Sequence, residues 1–287
     1  IKDGWRMYHG DKIPGFPAHP HRGFETVTVV QRGMVDHADS MGAAGRYGGG
    51  DVQWMTAGSG VQHSEMFPLL EEYQDNTLEL FQIWLNLPKH RKMVDPNFKM
   101  LWAETIPTST FEDEAGRSIK VIQYCKAIGN KKGPVPTPDS WASEAINDVA
   151  IWVITLEEQA SWVLPEVLTG VNRSLYLYEG KDVEVAGEML KLNQVGHIDQ
   201  SEGLKIKNGE ASAKLLLLQG RPIGEPVVQY GPFVMNSRQE IVDTYEEYRR
   251  TQFGGWPWKS PDQIHGLLSG RFARHANGVE EKPTIPN

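Results

Sequence analysis

One cysteine in 287 residues, Cys125, excludes an intramolecular disulfide. Structural disulfides belong to oxidising compartments, so a cytoplasmic setting is expected. Cys125 itself reads as a packed core residue rather than a nucleophile. Long apolar runs are equally scarce. None approaches the roughly 20 residues a membrane helix needs, and no charged, apolar and small-residue leader opens the chain. No membrane partner is expected. Basic residues are outnumbered, with 29 Lys and Arg against 37 Asp and Glu, for a formal net charge of −8. Nucleic-acid binding rests on a basic footprint, so no direct nucleic-acid contact is expected either. The one compact basic run, Lys89-His90-Arg91-Lys92, reads as a solvated loop. The chain starts at Ile1 rather than at methionine, which predicts a processed or trimmed start. Helical periodicity is almost missing.

What is present is β-branched, glycine-punctuated sequence. Hydrophobic content of 39% with 23% charged residues fits a globular chain of one large domain or two ordinary ones. Residues 1–25, rich in Gly and Pro, read as loop. Short strands are predicted at 24–31, 34–39, 51–57, 78–85 and 119–124, with Gly33 and the Gly48-Gly49-Gly50 cluster as turns. Further strands follow at 150–156, 161–164, 174–178, 182–185, 188–192 and 214–218. Such a pattern predicts an all-β sandwich or barrel. The Pro-rich stretch at 133–140 predicts a linker between an N-terminal barrel over 1–132 and a second over 141–287. Ser174 to Gly180 resembles Thr26 to Gly33, which suggests an internal duplication. The positions matching His19 and His21 are then Glu166 and Leu168, so the second half is expected to lack an equivalent metal site. One helix is predicted over 238–253. Ser237 and Glu240 form a capping box, Ile241, Tyr245 and Tyr248 follow at helical spacing, and Gly254-Gly255 stops it. The last thirty residues read as an irregular tail.

Chemistry concentrates in two stretches. The first is His19-Pro20-His21-Arg22-Gly23-Phe24-Glu25-Thr26, and the second is Gly58-Ser59-Gly60-Val61-Gln62-His63-Ser64-Glu65. Alternate residues of a strand share a face, so His19 with His21 and His63 with Glu65 can enter one cavity from two strands. Three imidazoles and a carboxylate suit Fe, Mn, Co, Ni, Cu or Zn and leave coordination positions open. His37 and Asp39 form another alternate pair, with a supporting role or an ordinary turn role both open. Gly48-Gly49-Gly50 lacks the Gly-Lys-Ser/Thr of a phosphate loop, and Ser59 sits outside a nucleophile elbow. The tryptophans read as core and inter-domain packing.

The first stretch resembles the first cupin motif, with Glu25 and Gly33 in its later positions. Gly50 to Gly58 running to His63 resembles the second. More narrowly, His-Pro-His-Arg-Gly-Phe-Glu-Thr, Gly-Asp-Val-Gln-Trp-Met-Thr-Ala-Gly and His-Ser-Glu-Met resemble the hallmark strings of the pirin family. Glu225 to Asn236 is similar to the signature of its C-terminal domain. Pirins usually carry additional sequence before the point where this chain starts. The resemblance implies a bicupin of two antiparallel jelly-roll barrels, with one divalent metal, iron first among the candidates, held by His19, His21, His63 and Glu65. It implies Glu25 beside the metal as a neighbour or base, with Arg22 available to orient an anionic substrate.

Two functions follow as expectations. One is a quercetin 2,3-dioxygenase-type reaction of a flavonol-like aromatic substrate with O2. The other is a non-enzymatic, metal-responsive regulator that binds a protein partner such as a transcription factor or metabolic enzyme. A monomer is expected in either case.

Overall fold

The structure is a computed structural model that describes residues 12–129, 131–198 and 203–284. Its contacts divide the chain into two units, one of residues 1–104 with 226–287 and one of residues 105–225.

The first unit opens with β1 (Gly15–His21), β2 (Phe24–Arg32), β3 (Met34–Asp39), β4 (Ala44–Gly48), β5 (Val52–Thr56), β6 (Val61–Met66), β7 (Glu79–Asn86) and β8 (Asn97–Leu101). The second unit holds β9 (Thr108–Glu112), β10 (Ser118–Cys125), β11 (Ala150–Leu156), β12 (Ser161–Leu164), β13 (Asn172–Glu179), β14 (Asp182–Val185), β15 (Glu188–Lys191), β16 (Val195–Ile198), β17 (Leu204–Asn208) and β18 (Ala213–Gly220). The chain then returns to the first unit with β19 (Val228–Tyr230), β20 (Phe233–Met235), α1 (Arg238–Thr251), β21 (Phe272–Arg274) and β22 (Glu280–Glu281).

Each unit pairs a six-stranded with a four-stranded antiparallel sheet. In the first they run β1-β6-β3-β4-β21-β22 and β7-β2-β5-β8; in the second, β16-β13-β18-β11-β10-β9 and β12-β17-β14-β15. The all-β bicupin class read from the sequence is therefore what the chain adopts. Val30, Val35, Tyr47, Met55, Val61 and Phe98 fill the first core. Val121, Trp152, Ile154, Leu175, Leu177 and Leu215 fill the second. Each such apolar side chain contributes roughly 1.5–3 kcal/mol by leaving water. Cys125 is buried, with its thiol on the Val149 carbonyl at 3.3 Å.

The expected linker at 133–140 lies inside the second unit. β10 before it and β11 after it pair along Ile119↔Leu156 to Cys125↔Ile151, so the strand ladder closes over the proline-rich stretch. Composition marked a stiff connection there, but it connects neighbours of one sheet. The C-terminal helix and tail likewise belong to the first unit rather than to the second half.

Several local expectations change for physical reasons. Gly15–His21 is a strand rather than loop, because β6 supplies partners that short-range composition cannot show. The tail adds β21 to the edge of β4 along Phe272↔Arg46 to Arg274↔Ala44. The basic run forms a 3-10 turn, Lys89–Arg91, and Lys92 is buried. Its ammonium donates to the carbonyls of Gly23 and Val234 at 2.7 and 2.9 Å and to Asn86 Oδ1 at 2.6 Å. Helix α1 starts where the capping box places it, with Ser237 Oγ accepting from the Glu240 amide at 3.2 Å and Glu240 reaching back to the Asn236 amide at 2.9 Å. It stops two residues before 253, because Gln252 and Phe253 take left-handed backbone (φ 52° and 47°). No helix of the described residues is long and apolar enough to cross a membrane.

Candidate metal centre

The site grows from the register of three strands. On β1 and β6, His19 faces His63 and His21 faces Val61. On β6 and β3, Glu65 faces His37 and His63 faces Asp39. Residues directly opposed across an antiparallel pair share a face. His19, His21, His63, Glu65, His37 and Asp39 therefore all project from one side of the six-stranded sheet. The four-stranded sheet contributes Thr28, which pairs with Gln82 on β7.

One corner fixes the geometry. Between His21 and Phe24 the chain turns at Gly23 (φ 85°), where a Cβ would lie 2.1 Å from the Val234 carbonyl oxygen. Only glycine fits there. Beyond that turn Phe24 packs its ring 5.1 Å from His21 and 4.3 Å from Trp84.

The ligand atoms of His19, His21 and His63 lie within 4.8 Å of one another. Three donors on one ion at about 2.1 Å each stand about 3.0–3.6 Å apart, so a pair at the 4.8 Å limit closes by about 1–2 Å to share an ion. His19 Nδ1 donates to the Pro17 carbonyl at 2.8 Å, and His21 Nδ1 faces the Pro232 carbonyl at 3.4 Å. A carbonyl accepts only from a protonated nitrogen, so both rings turn an Nε2 lone pair away from the backbone. His63 is fully buried, and neither of its ring nitrogens has a hydrogen-bond partner. Such an orphaned pair is costly unless something absent from the chain itself occupies it. Burial, then the neighbouring His19, His21 and His37, holds the His63 pKa well below the ordinary value. Burial followed by His19 lowers that of His21 to about 3. Both are neutral at pH 7, the form that binds metal.

Glu65 adjoins this cluster. Its Oε2 stands 3.9 Å from His63 Nε2 and accepts from Gln82 Nε2 at 2.7 Å, while Oε1 accepts from Thr28 Oγ1 at 3.2 Å. Two donors thus aim the carboxylate. Of these, neither Thr28 nor Gln82 carries a sequence signal beyond its place on a strand. His37 and Asp39 are fully buried and joined at 3.2 Å, and the His37 ring lies 5.6 Å from His63. That favours the supporting role over the turn role.

The two residues expected to act on substrate stand elsewhere. Glu25 accepts from Thr56 Oγ1 at 2.7 Å on the face of β2 opposite to Thr28, because residues 25 and 28 differ by an odd number of positions. Arg22 is buried with its guanidinium engaged. It donates to the Ser59 carbonyl at 2.6 Å and to Glu247 at 2.8 Å, and it lies 4.5 Å over the Phe253 ring. Arg22 ties the metal-site corner to α1 and correspondingly lowers the Glu247 pKa. A residue beside the cluster that the sequence did not single out is Trp84, which is 41% exposed and 5.5 Å from His21.

Among its described residues the second unit shows no counterpart. Glu166 and Leu168 occupy the positions matched to the histidine pair, and both are exposed. Among the described residues the three histidines form the one cluster with metal-holding geometry.

Metal-free protein is expected to lose stability in acid. Unfolded histidine binds a proton near pH 6.5, whereas folded His21 resists until about 3. Between those values the unfolded chain holds more protons, so stability is full above pH 6.5 and falls progressively toward pH 3. Melting temperatures of metal-free protein between pH 7.5 and 5 should drop, and His21→Leu should flatten that slope. An unchanged slope would contradict the assignment.

A two-sheet barrel with three convergent imidazoles, followed by a second barrel of the same build without them, defines a bicupin with a candidate metal site in its first barrel. The Pirin family matches residues 3–85, and the Pirin C-terminal cupin domain matches residues 151–254. The chain belongs to the pirin family. It is 36% identical over 239 residues to a Pseudomonas aeruginosa protein named, provisionally, a quercetin 2,3-dioxygenase, covering 83% of this chain and 79% of that one. It is 38% identical over 248 residues to Pirin-1 of Arabidopsis thaliana, covering 84% and 78%. A crystal structure titled quercetin 2,3-dioxygenase from Acinetobacter baumannii superimposes with a TM-score of 0.74 at 33% identity, covering 85% and 81%.

Proposed function

We propose that this protein is a mononuclear metal-dependent dioxygenase for flavonol-like aromatic substrates, with His19, His21, His63 and Glu65 as ligands. The observation that carries the reading is the buried His63, orphaned at both nitrogens and grouped with the imidazoles of His19 and His21. The names of the relatives supply the substrate class. A divalent ion held there, iron first and Mn, Co, Ni, Cu or Zn also compatible with the donors, would supply Lewis acidity toward a flavonol hydroxyl and a path for activating dioxygen.

The chain's own residues divide the remaining work. Thr28 and Gln82 keep Glu65 oriented. Glu65, as the carboxylate on the site's own face, accepts the hydroxyl proton in place of Glu25. Trp84, partly exposed beside His21 and packed at 4.3 Å on the buried Phe24, offers flat apolar surface to an aromatic ring. Trp84→Ala should raise KM for quercetin about 5–10-fold with a smaller change in kcat, since an aromatic contact contributes roughly 0.5–1.5 kcal/mol. Equal losses in kcat and kcat/KM would place Trp84 elsewhere in the reaction.

The test of the reading is bleaching of quercetin absorbance under air by protein loaded separately with each of the six ions. Turnover with at least one ion, lost in His63→Leu, supports it. No turnover with any ion overturns it and favours the metal-responsive regulator, whose partner binding would then depend on the oxidation state of the ion.

A further inference from the structure

The second barrel contains a charge that the metal reading does not use. On β13, Arg173, Leu175 and Leu177 alternate inward, and the two leucines belong to the core. Arg173 is 1% exposed. None of its three guanidinium nitrogens has a hydrogen-bond partner. Arginine remains charged in proteins, so this is a fully desolvated cation whose five N–H donors are all unsatisfied. Buried charges are ordinarily paired.

The surroundings sharpen the anomaly. Across the ladder Arg173 faces Gln219 on β18, on the same face. Gln219 Nε2 donates to the Asp148 carbonyl at 3.0 Å and to Asp148 Oδ1 at 3.1 Å. Both partners are acceptors, which fixes the amide's orientation. Its Oε1 is left buried and unpartnered. Asp148 is the charge that acts on Arg173, against the burial that lowers the arginine's pKa. Yet its oxygens are already taken: Oδ1 by the Lys126 ammonium as well as Gln219, and Oδ2 by the Leu168 amide at 3.3 Å. Lys126 reaches Asp148 from a side chain that is 42% exposed, whereas Asp148 is 3% exposed. Asp148 is thus committed to other donors, and the guanidinium of Arg173 has no acceptor of its own.

We propose that the interior end of the second barrel is a binding site for a small organic monocarboxylate, seated on the guanidinium of Arg173. A carboxylate matches the planar fork with two parallel hydrogen bonds. It would supply the acceptor that the guanidinium lacks. A dianion such as sulfate needs more donors than one guanidinium to offset its desolvation. The neighbouring pair on the same face, Leu175 and Leu217, is apolar, which favours a short carbon body over a hydrated inorganic ion. A hydroxyl next to the carboxylate would find an acceptor in Gln219 Oε1, so a 2-hydroxy acid should bind more tightly than its deoxy analogue. None of the residues named for this site is a proposed metal ligand.

The probes are sodium acetate and sodium glycolate, with sodium chloride and sodium sulfate at matched ionic strength. The full chain is followed by thermal melting and by the side-chain 1H–15N resonance of Arg173, assigned through its absence in Arg173→Lys. Saturable binding should raise the melting temperature by about 5 °C at a hundredfold excess over Kd, with glycolate saturating at lower concentration than acetate. The Arg173 resonance should shift with the same midpoint. Arg173→Met should melt no lower than wild type without carboxylate, because it removes an unpaired buried charge, and should not respond to either probe. His63→Leu should keep the full response, which separates this site from the metal reading. Absence of saturable binding to wild type overturns the proposal, as does an equal response in Arg173→Met or an equal response to chloride and sulfate. If Arg173→Met fails to fold, a wild-type resonance that does not move with acetate overturns it equally.

Discussion

His63→Leu is expected to abolish metal binding and, with it, any quercetin turnover, while raising the melting temperature of the metal-free protein. The two effects have one cause. His63 sits at zero exposure with both ring nitrogens unpartnered. Each unsatisfied buried polar group costs about 1–3 kcal/mol. Leucine has similar bulk and no polar atom, so the metal-free variant should gain about 1–3 kcal/mol, or roughly 2–8 °C. Metal reverses the sign. Loss of residues that merely support a ligand costs 10–100-fold in affinity, so removing a central ligand should exceed about 100-fold. Titration of metal-free protein with Fe(II) or Ni(II), read by calorimetry, and parallel thermal melts would measure both halves. A His63→Leu protein that binds metal as wild type does, or that melts several degrees lower without metal, would end the assignment of His63 as a ligand. Carrying a side chain that weakens the empty fold is what a functional site looks like when local stability and chemistry disagree.

How much of this was legible beforehand depends on distance along the chain. The i, i+2 spacing in His19-Pro20-His21 and His63-Ser64-Glu65 encodes the shared face directly, because strand alternation is a local rule. The resemblance implied Glu25 beside the metal, and the same rule applied to β2 puts it on the face opposite to Thr28. It lies four residues past His21, an even separation, but the corner at Gly23 breaks the strand between them and resets the alternation. Parity therefore has to be counted from Thr28, which does reach Glu65. Arg22 misled for another reason. Its partners Thr244 and Glu247 lie more than 220 positions away, and no local pattern reports a helix that folds back onto the first unit. Trp84 and Gln82 were read correctly as strand residues, but their importance comes from β7 pairing with β2. The proline-rich stretch misplaced the domain boundary because stiffness signals a connection without saying what it connects. The all-β class of both units, by contrast, follows from the repeated short strands and glycine turns, whereas the strands that complete each sheet, β1, β4 and β6 among them, show only through their pairing partners.

The second large effect lies in a pair that fastens the tail. Arg46→Ala is expected to destabilise the first unit by about 3–5 kcal/mol, the usual cost of leaving one partner of a buried ion pair alone. Arg46 is 1% exposed and Asp36 fully buried. They meet in two parallel bonds, Nε to Oδ1 at 2.6 Å and Nη2 to Oδ2 at 2.8 Å. The remaining donors of Arg46 hold the chain's far end: Nη1 reaches the Gly266 carbonyl at 2.9 Å and Nη2 the His265 carbonyl at 3.1 Å. Asp36 in turn accepts from the His265 amide at 2.8 Å, and His265 Nε2 faces the His37 carbonyl at 2.9 Å. Truncating Arg46 thus strands a buried carboxylate and releases the segment that leads into β21. Since His37 stands between this network and the Glu65 face of β3, the loosening should also reach the metal site. Urea melts should show the lower midpoint at unchanged slope. Limited proteolysis should open between residues 259 and 272 before the rest of the chain. The Asp36→Leu, Arg46→Met double variant should recover part of the stability, because two apolar side chains leave no charge stranded, but not the protection of the tail, whose carbonyls then lack their donors. A single Arg46→Ala variant within about 0.5 kcal/mol of wild type, the range of ordinary surface substitutions, would show that the pair does not hold the tail.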